Sequence, residues 1–341
     1  MNASGGIGLI VLAGLLQGTF MLPMKYTHRW SWENTWLCFS CTAYLIFPWA
    51  LAILTVPHLA AILHETSATS ILQTSLFGLG WGLGALAFGL GVELLGLALG
   101  FAIILGLTAS IGTLIPFLIL SPARIHSIQG LLILTGVVLM LGGICICSWA
   151  GKLKDDAVRG ETKSTAPVSR KAFALGLFFC IASGVLSPCG NLGFTFGAGM
   201  SDLALKWGTP VSGASNPFWA LITVPVFICN AVLCVYLLIR NGSFRKFWPI
   251  GNVRNYSLGT SMGAMWLIGM ALYGIGAREI GHLGPSIGWS IMMSLVVIVA
   301  NLWGIFTGEW KGTGKKPARI MALGLMILVV AIFVIGAGNR A

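Results

Sequence analysis

The chain has 341 residues, of which 57% are hydrophobic and only 9% charged, with 46 glycines and a formal net charge of +11, and its mean hydropathy is +0.91. Soluble domains carry about 25% charged residues, so too little polar surface is available to face water and a soluble globule is excluded. A hydrocarbon layer about 30 Å thick requires about 20 apolar residues per spanning helix.

Ten runs free of Asp, Glu, Lys, Arg and His reach that length: 1–24, 35–57, 66–92, 94–123, 127–151, 172–201, 207–239, 255–277, 283–308 and 320–339. Ten such spans leave connections too short for a soluble domain, and the chain reads as an all-α polytopic membrane protein with ten transmembrane helices. A β-barrel would alternate apolar and polar residues over segments of about 10 residues. The run LLILTGVVLMLGGICICSWAG does not alternate.

The first run has no Lys or Arg ahead of it and is expected to stay as a helix rather than be cleaved as a signal peptide. Gly14 to Gly18, Gly80 to Gly84 and Gly96 to Gly100 have the small-xxx-small spacing that lets membrane helices approach closely. The GxG strings between Gly78 and Gly84 lack the strand-turn-helix context of a dinucleotide site. All eight cysteines (Cys38, Cys41, Cys145, Cys147, Cys180, Cys189, Cys229, Cys234) fall inside the runs and read as packing residues. Past the first helix, Trp30, Trp32 and Trp36 are expected in a headgroup-level aromatic belt. Lys25, just after Pro23-Met24, is placed to snorkel to that interface, or to act as a gate or substrate contact.

Sixteen of the twenty basic residues lie in odd-numbered connections: Lys25 and Arg29; Lys152, Lys154, Arg159, Lys163, Arg170 and Lys171; Arg240, Arg245, Lys246 and Arg254; Lys311, Lys315, Lys316 and Arg319. The other side holds Arg124, Lys206, Arg278 and Arg340. By the positive-inside rule the basic connections are cytoplasmic and both termini are outside. The positive charge is thereby a topology signal, and no nucleic-acid partner is implied.

Residues 152–171 form a solvated linker between two halves, 1–151 and 172–341. Five helices per half is an odd number, so a repeat would have to be inverted across the membrane. At an offset of 185 residues Trp81 aligns with Trp266, Phe88 with Tyr273, Gly89 with Gly274, Gly91 with Gly276, Glu93 with Arg278 and Gly96 with Gly281. A weaker match at offset 170 sets Gly14-Leu15-Leu16-Gln17 against Gly184-Val185-Leu186-Ser187. The expected architecture is two inverted five-helix repeats.

Inverted halves suit alternating access, with a solute site near the midplane at their interface. The spans hold amides (Gln17, Asn191, Asn216, Asn230, Asn301), hydroxyls (Ser40, Thr108, Ser110, Thr113, Ser183, Ser187, Thr223, Ser290, Ser294) and polar-tipped aromatics (Trp81, Trp219, Trp266, Tyr273, Trp289), with no carboxylate at a span centre. Amides and hydroxyls beside indole faces suit a neutral polyol such as a sugar, and Gln17, Asn191 and Asn301 lean toward the cavity. Pro116, Pro188, Pro217, Pro225 and Pro285 begin or interrupt spans and free carbonyls there.

A proton-coupled carrier needs a group whose proton affinity changes between states. With no deeper acids, the candidates are Glu93 and Glu279 at the ends of helices 3 and 8, and His282 after helix 8. An enzyme is disfavoured: the only aspartates are Asp155, Asp156 and Asp202, and the histidines His28, His58, His64, His126 and His282 lack the i, i+4 spacing of a metal site. No metal and no cofactor are expected. Export of a neutral metabolite is the alternative to sugar uptake.

At Trp30-Ser31-Trp32-Glu33, at FGLGWGLGALAFGLGVELLG (77–96) followed by GLTASIGTL (106–114), at Met265-Trp266 with Tyr273, at Trp289 with Ser294, and at Glu309-Trp310, the chain resembles the L-rhamnose:proton symporter family of the drug/metabolite transporter superfamily. The likeness spans nearly the whole chain. It implies ten helices in two inverted halves, a bacterial inner-membrane location, and uptake of a deoxysugar with a proton. The residues matching the family are Lys25, Trp81, Ser187, Asn191, Pro217, Asn230, Trp266, Tyr273 and Trp289. With the cavity-leaning amides Gln17 and Asn301 added to the matching residues, substrate contact is expected at Gln17, Trp81, Ser187, Asn191, Trp266, Tyr273, Trp289 and Asn301.

Overall fold

The computed structural model describes residues 3–159, 169–248 and 252–338. Lys163 and Arg340, used in the charge count, and residues 160–168 of the linker lie outside the described residues. Among the described residues ten helices are long and apolar enough to cross a membrane: α1 (Ser4–Tyr26), α2 (Trp32–Thr55), α3 (Ala68–Leu95), α4 (Ala98–Leu120), α5 (Ile128–Ala157), α6 (Arg170–Lys206), α7 (Asn216–Arg240), α8 (Val253–Ile280), α9 (Gly284–Phe306) and α10 (Lys315–Gly338). No strand occurs among the described residues, and each apolar run coincides with one helix.

Helix ends overrun the apolar runs where charge begins. α5 continues through Lys152, Lys154, Asp155 and Asp156, and α6 through Asp202 to Lys206. Hydropathy marks the edge of the hydrocarbon, whereas the i→i−4 ladder continues into the headgroup zone, where charges are solvated.

Proline shapes several spans. α2 widens into a π-helical turn over Cys41–Ile46 directly ahead of Pro48, which donates no N–H to the turn before it. α6 breaks at Pro188, between Arg170–Leu186 and Cys189–Phe196. Pro217 and Pro285 open α7 and α9, where a missing N–H costs nothing, and Pro116 and Pro225 lie inside α4 and α7.

α1 packs on α8 and α9; α6 packs on α3 and α4; α5 lies along α10, and α2 beside α7. Glycines set the closest approaches. A Cβ on Gly14 or Gly18 would meet Leu295 or Val299 of α9, and one on Gly80 or Gly84 would meet Cys189 or Ser187 of α6. The third small-xxx-small pair behaves differently from expectation: Gly96, at φ +88°, is the single residue between helical Leu95 and Leu97, a conformation that only glycine adopts cheaply. Chain reversal, rather than packing, is its task.

The helices at the 185-residue offset correspond closely. α3 and α8 differ by 185 at both ends, and each closes on a glycine of positive φ, Gly96 (+88°) and Gly281 (+91°). Contacts correspond as well: Gly269 meets Gln17 and Gly84 meets Ser187; Gly276 meets Ile10 and Gly91 meets Cys180; Gly14 meets Leu295 and Gly184 meets Leu107.

The cysteines are free thiols. Cys38, Cys147, Cys180, Cys189 and Cys229 seat against Gly259, Gly324, Gly91, Gly80 and Gly82 of neighbouring helices, as small apolar packing residues would. The tryptophans after α1 only partly form a belt. Trp32 is exposed, but Trp30 donates to the Lys246 carbonyl at 3.0 Å and Trp36 donates to Asn230 Oδ1 at 2.8 Å, because their indole N–H groups find partners on the neighbouring chain segments.

Candidate functional site

Asn191 sits on α6 one turn past the Pro188 break, fully buried. Its amide donates to the Gly112 carbonyl of α4 at 2.7 Å and lies 3.3 Å from the Pro285 carbonyl at the start of α9. The Tyr273 hydroxyl of α8 donates to Asn191 Oδ1 and lies 3.3 Å from the same Pro285 carbonyl. Four helices therefore meet at one amide. A buried polar network of this kind is costly unless satisfied, and here each member has a partner.

Aromatic rings extend the node. Trp289 of α9 donates to the Thr108 carbonyl of α4 at 3.1 Å and meets Tyr273 edge-on with centroids 5.9 Å apart. Trp81 of α3 lies 5.7 Å from Trp266 of α8, which Tyr44 of α2 meets edge-on at 4.8 Å. Gly190, beside Asn191, leaves space that the Trp81 ring fills. Gln17 of α1 donates to the Trp266 carbonyl at 2.7 Å, and the Thr113 and Ser290 hydroxyls join α4 to α9 at 2.7 Å. The residues proposed from sequence on separate helices, Gln17, Trp81, Asn191, Trp266, Tyr273 and Trp289, thus form one connected layer.

Two others stand apart. Ser187 is half-buried at the α3 contact, with its hydroxyl 3.5 Å from that of Ser183. Asn301 donates to the Val297 carbonyl one turn back on its own helix, at 2.8 Å.

A cavity of about 410 Å³ opens on the face opposite the basic connections. It is lined by Leu120, Phe194, Thr195, Ala198, Ser201, Asp202, Ala277, Arg278, Gly281, His282 and Pro285. Pro285 joins cavity to node, since its carbonyl faces both Asn191 and Tyr273. Along the wall the Arg278 guanidinium of α8 bonds Asp202 Oδ1 of α6, with Nη2 at 2.9 Å and Nη1 at 3.5 Å. Behind it Phe194 stacks on Trp219, with centroids 5.4 Å apart and planes within 6°. Trp219 Nε1 and the hydroxyls of Ser215 and Ser286 are buried there without a hydrogen-bond partner.

Ion pairs bridge helix ends at the basic face. Lys25 Nζ bonds the Glu309 carboxylate and reaches the Thr307 hydroxyl at 3.1 Å. Lys154 Nζ of α5 lies 3.5 Å from Glu309 Oε2 and 5.4 Å above the Trp310 ring. The Lys25 hydrogen bond holds the Glu309 carboxyl below its ordinary 4.5, against the opposing effect of partial burial, with the charges of Lys25 and Lys154 adding to the shift. One carboxylate thereby joins the end of α1, the end of α5 and the connection between α9 and α10.

The protonatable candidates divide between faces. Glu93 is exposed at the basic end of α3, Glu279 is half-buried at the far end of α8, and exposed His282 lines the cavity. Among the described residues no group of three or more His, Cys, Asp or Glu side chains could hold a metal ion. Sequence reasoning missed Asp202 and Arg278 as partners, along with Tyr44 and Phe194. A lone acid at a helix end carries no pattern.

The known proteins to which this chain is similar are named as symporters. The chain is 28% identical over 329 residues to a protein of Mannheimia succiniciproducens named L-rhamnose-proton symporter, covering 94% of this chain and 93% of that one. Proteins of the same name from Salmonella enteritidis and Klebsiella pneumoniae are each 27% identical over 326 residues, with the same coverage. The family described as RhaT, L-rhamnose-proton symport protein, matches residues 4–341, and the chain belongs to that family.

Proposed function

We propose that this protein is a secondary active transporter that takes L-rhamnose, or a similar deoxysugar, across a bacterial inner membrane together with a proton. The carrying observation is the layer of Trp81, Trp266, Asn191, Tyr273 and Trp289, which joins helices of both halves directly beneath a cavity open on one face. Indole faces suit the CH surface of a pyranose, and amides and hydroxyls suit its oxygens. Buried, partnerless donors at Trp219, Ser215 and Ser286 add hydrogen-bonding capacity behind the cavity wall.

Alternating access is supported by the matched packing. Exchanging α1 to α5 with α6 to α10 turns the contacts of α1 on α8 and α9 into those of α6 on α3 and α4, and the paired glycine contacts follow the same exchange. We read two five-helix halves related in this way as inverted repeats, the organisation that suits alternating access, and on that reading assign the chain to the drug/metabolite transporter superfamily. In this state the basic face is closed through Lys25, Glu309 and Lys154, and Lys25 serves as a gate. The charge bias places that face in the cytoplasm and both termini in the periplasm.

Proton coupling is assigned to the open face. Glu279 and His282 stand at the cavity end of α8, whereas Glu93 lies at the opposite face. The test is L-rhamnose uptake into proteoliposomes with and without an inward proton gradient, together with sugar-driven alkalinisation of the medium. Uptake above equilibrium that collapses with a protonophore is expected, with alkalinisation lost in Glu279→Gln or His282→Gln and kept in Glu93→Gln. Equilibration indifferent to the gradient would overturn the symport reading.

A further inference from the structure

We propose that the charged wall of the cavity, Asp202 with Arg278, is a first docking subsite for a neutral polyhydroxy solute, separate from the aromatic layer beneath it. This rests on the transport reading above.

The cavity is two-sided. Leu120, Ala198, Ala277 and Pro285 offer apolar surface, while Asp202 and Arg278 supply a paired carboxylate and guanidinium. A lone carboxylate would select cations and a lone guanidinium anions; paired, they carry no net charge and suit an uncharged solute. Both guanidinium nitrogens address Oδ1. The carboxylate therefore keeps Oδ2 for an outside hydroxyl, and the five N–H donors of Arg278 are not exhausted by one oxygen. Hydrogen bonds to such ionised groups are about twice as strong as neutral ones.

Geometry favours binding over a merely structural tie. The Asp202 side chain is 62% exposed against 18% for Arg278, and an ion pair so open to water adds little to stability. The same exposure makes the carboxylate reachable from the open face. The volume of about 410 Å³ falls within the 300–1,000 Å³ of small-molecule pockets. A deoxysugar, with hydroxyls along one edge and a methyl group at another, matches a wall that is charged on one side and apolar on the other.

Calorimetric titration of the purified full-length protein with L-rhamnose, run beside proteoliposome uptake, tests this. Asp202→Asn and Arg278→Gln are expected to weaken binding about tenfold or more, the loss of one charge-assisted hydrogen bond, with Asp202→Glu restoring part of it. Leu120→Trp, which fills the cavity from the apolar side and leaves the ion pair intact, is expected to block binding even if the charge variants fold poorly. Trp81→Ala is expected to lose uptake yet retain docking at the cavity. Wild-type affinity in Asp202→Asn, Arg278→Gln and Leu120→Trp, with uptake by the wild type intact, would overturn the subsite alone. No uptake of L-rhamnose by the wild type would overturn the transport reading, and the subsite with it.

Discussion

Tyr273 shows how one hydroxyl can hold a layer together. It donates to Asn191 from a wholly buried position, so Tyr273→Phe leaves an acceptor buried without its donor, at a cost of about 1–3 kcal/mol. Thermal unfolding in detergent is expected to shift down accordingly, and uptake to fall further as Asn191 is freed to turn. Trp81→Ala removes the half-buried ring that Gly190 accommodates; uptake is expected to be abolished, with a smaller loss of stability than the roughly 3–5 kcal/mol of a fully buried tryptophan. Indole and amide side chains in the spans were legible as candidates because polar tips in hydrocarbon demand partners. Their pairing was not, since which carbonyl Asn191 finds depends on where α4 and α9 pass. Asn301 had the same residue type and a like setting, yet bonds within its own helix.

Helix contacts carry a sharper comparison. A Cβ on Gly84 would approach the Ser187 backbone nitrogen to 2.7 Å, whereas nothing lies within 4 Å of one on Gly89. Gly84→Ala is therefore expected to destabilise by about 1–3 kcal/mol through overpacking, and Gly89→Ala to be neutral or slightly stabilising, since alanine is the better helix former by about 1 kcal/mol. Differential scanning fluorimetry of the two variants separates these outcomes. The ten elements were legible as apolar runs because lipid leaves the backbone no alternative to helices. Their ends and junctions were not: the α3 to α4 reversal falls at Gly96, three residues past the charge at Glu93 that marked it in sequence. Backbone conformation sets the turn, and hydropathy does not register it.

For the whole molecule, the carboxylate of Glu309 joins α1, α5 and the connection between α9 and α10, the contact proposed above to hold one face closed. Its folded pKa lies below 4.5, so the stability it adds is fully present above that value and is lost as pH falls through the lowered one. Between about pH 5.5 and 8 it stays ionised, and Glu309→Gln is expected to raise proton leak and speed exchange while leaving the pH profile of uptake unchanged in that range. A shifted profile would assign coupling to Glu309 instead of Glu279 or His282. The correspondence of α3 with α8 was legible from the tryptophans and glycines at one offset, because close helix approach requires glycine at corresponding places in both helices. The cavity and its charged wall were not legible, as they arise where the ends of α4, α6, α8 and α9 diverge.

Spin-label distances test the central claim most directly, with one pair across the open cavity at Ser201 and Gly281 and another across the basic face at Met24 and Lys311. On adding L-rhamnose with an inward proton gradient, the first distance should shorten and the second lengthen. Two distances that stay fixed, or that change in the same direction, would contradict alternating access between the halves.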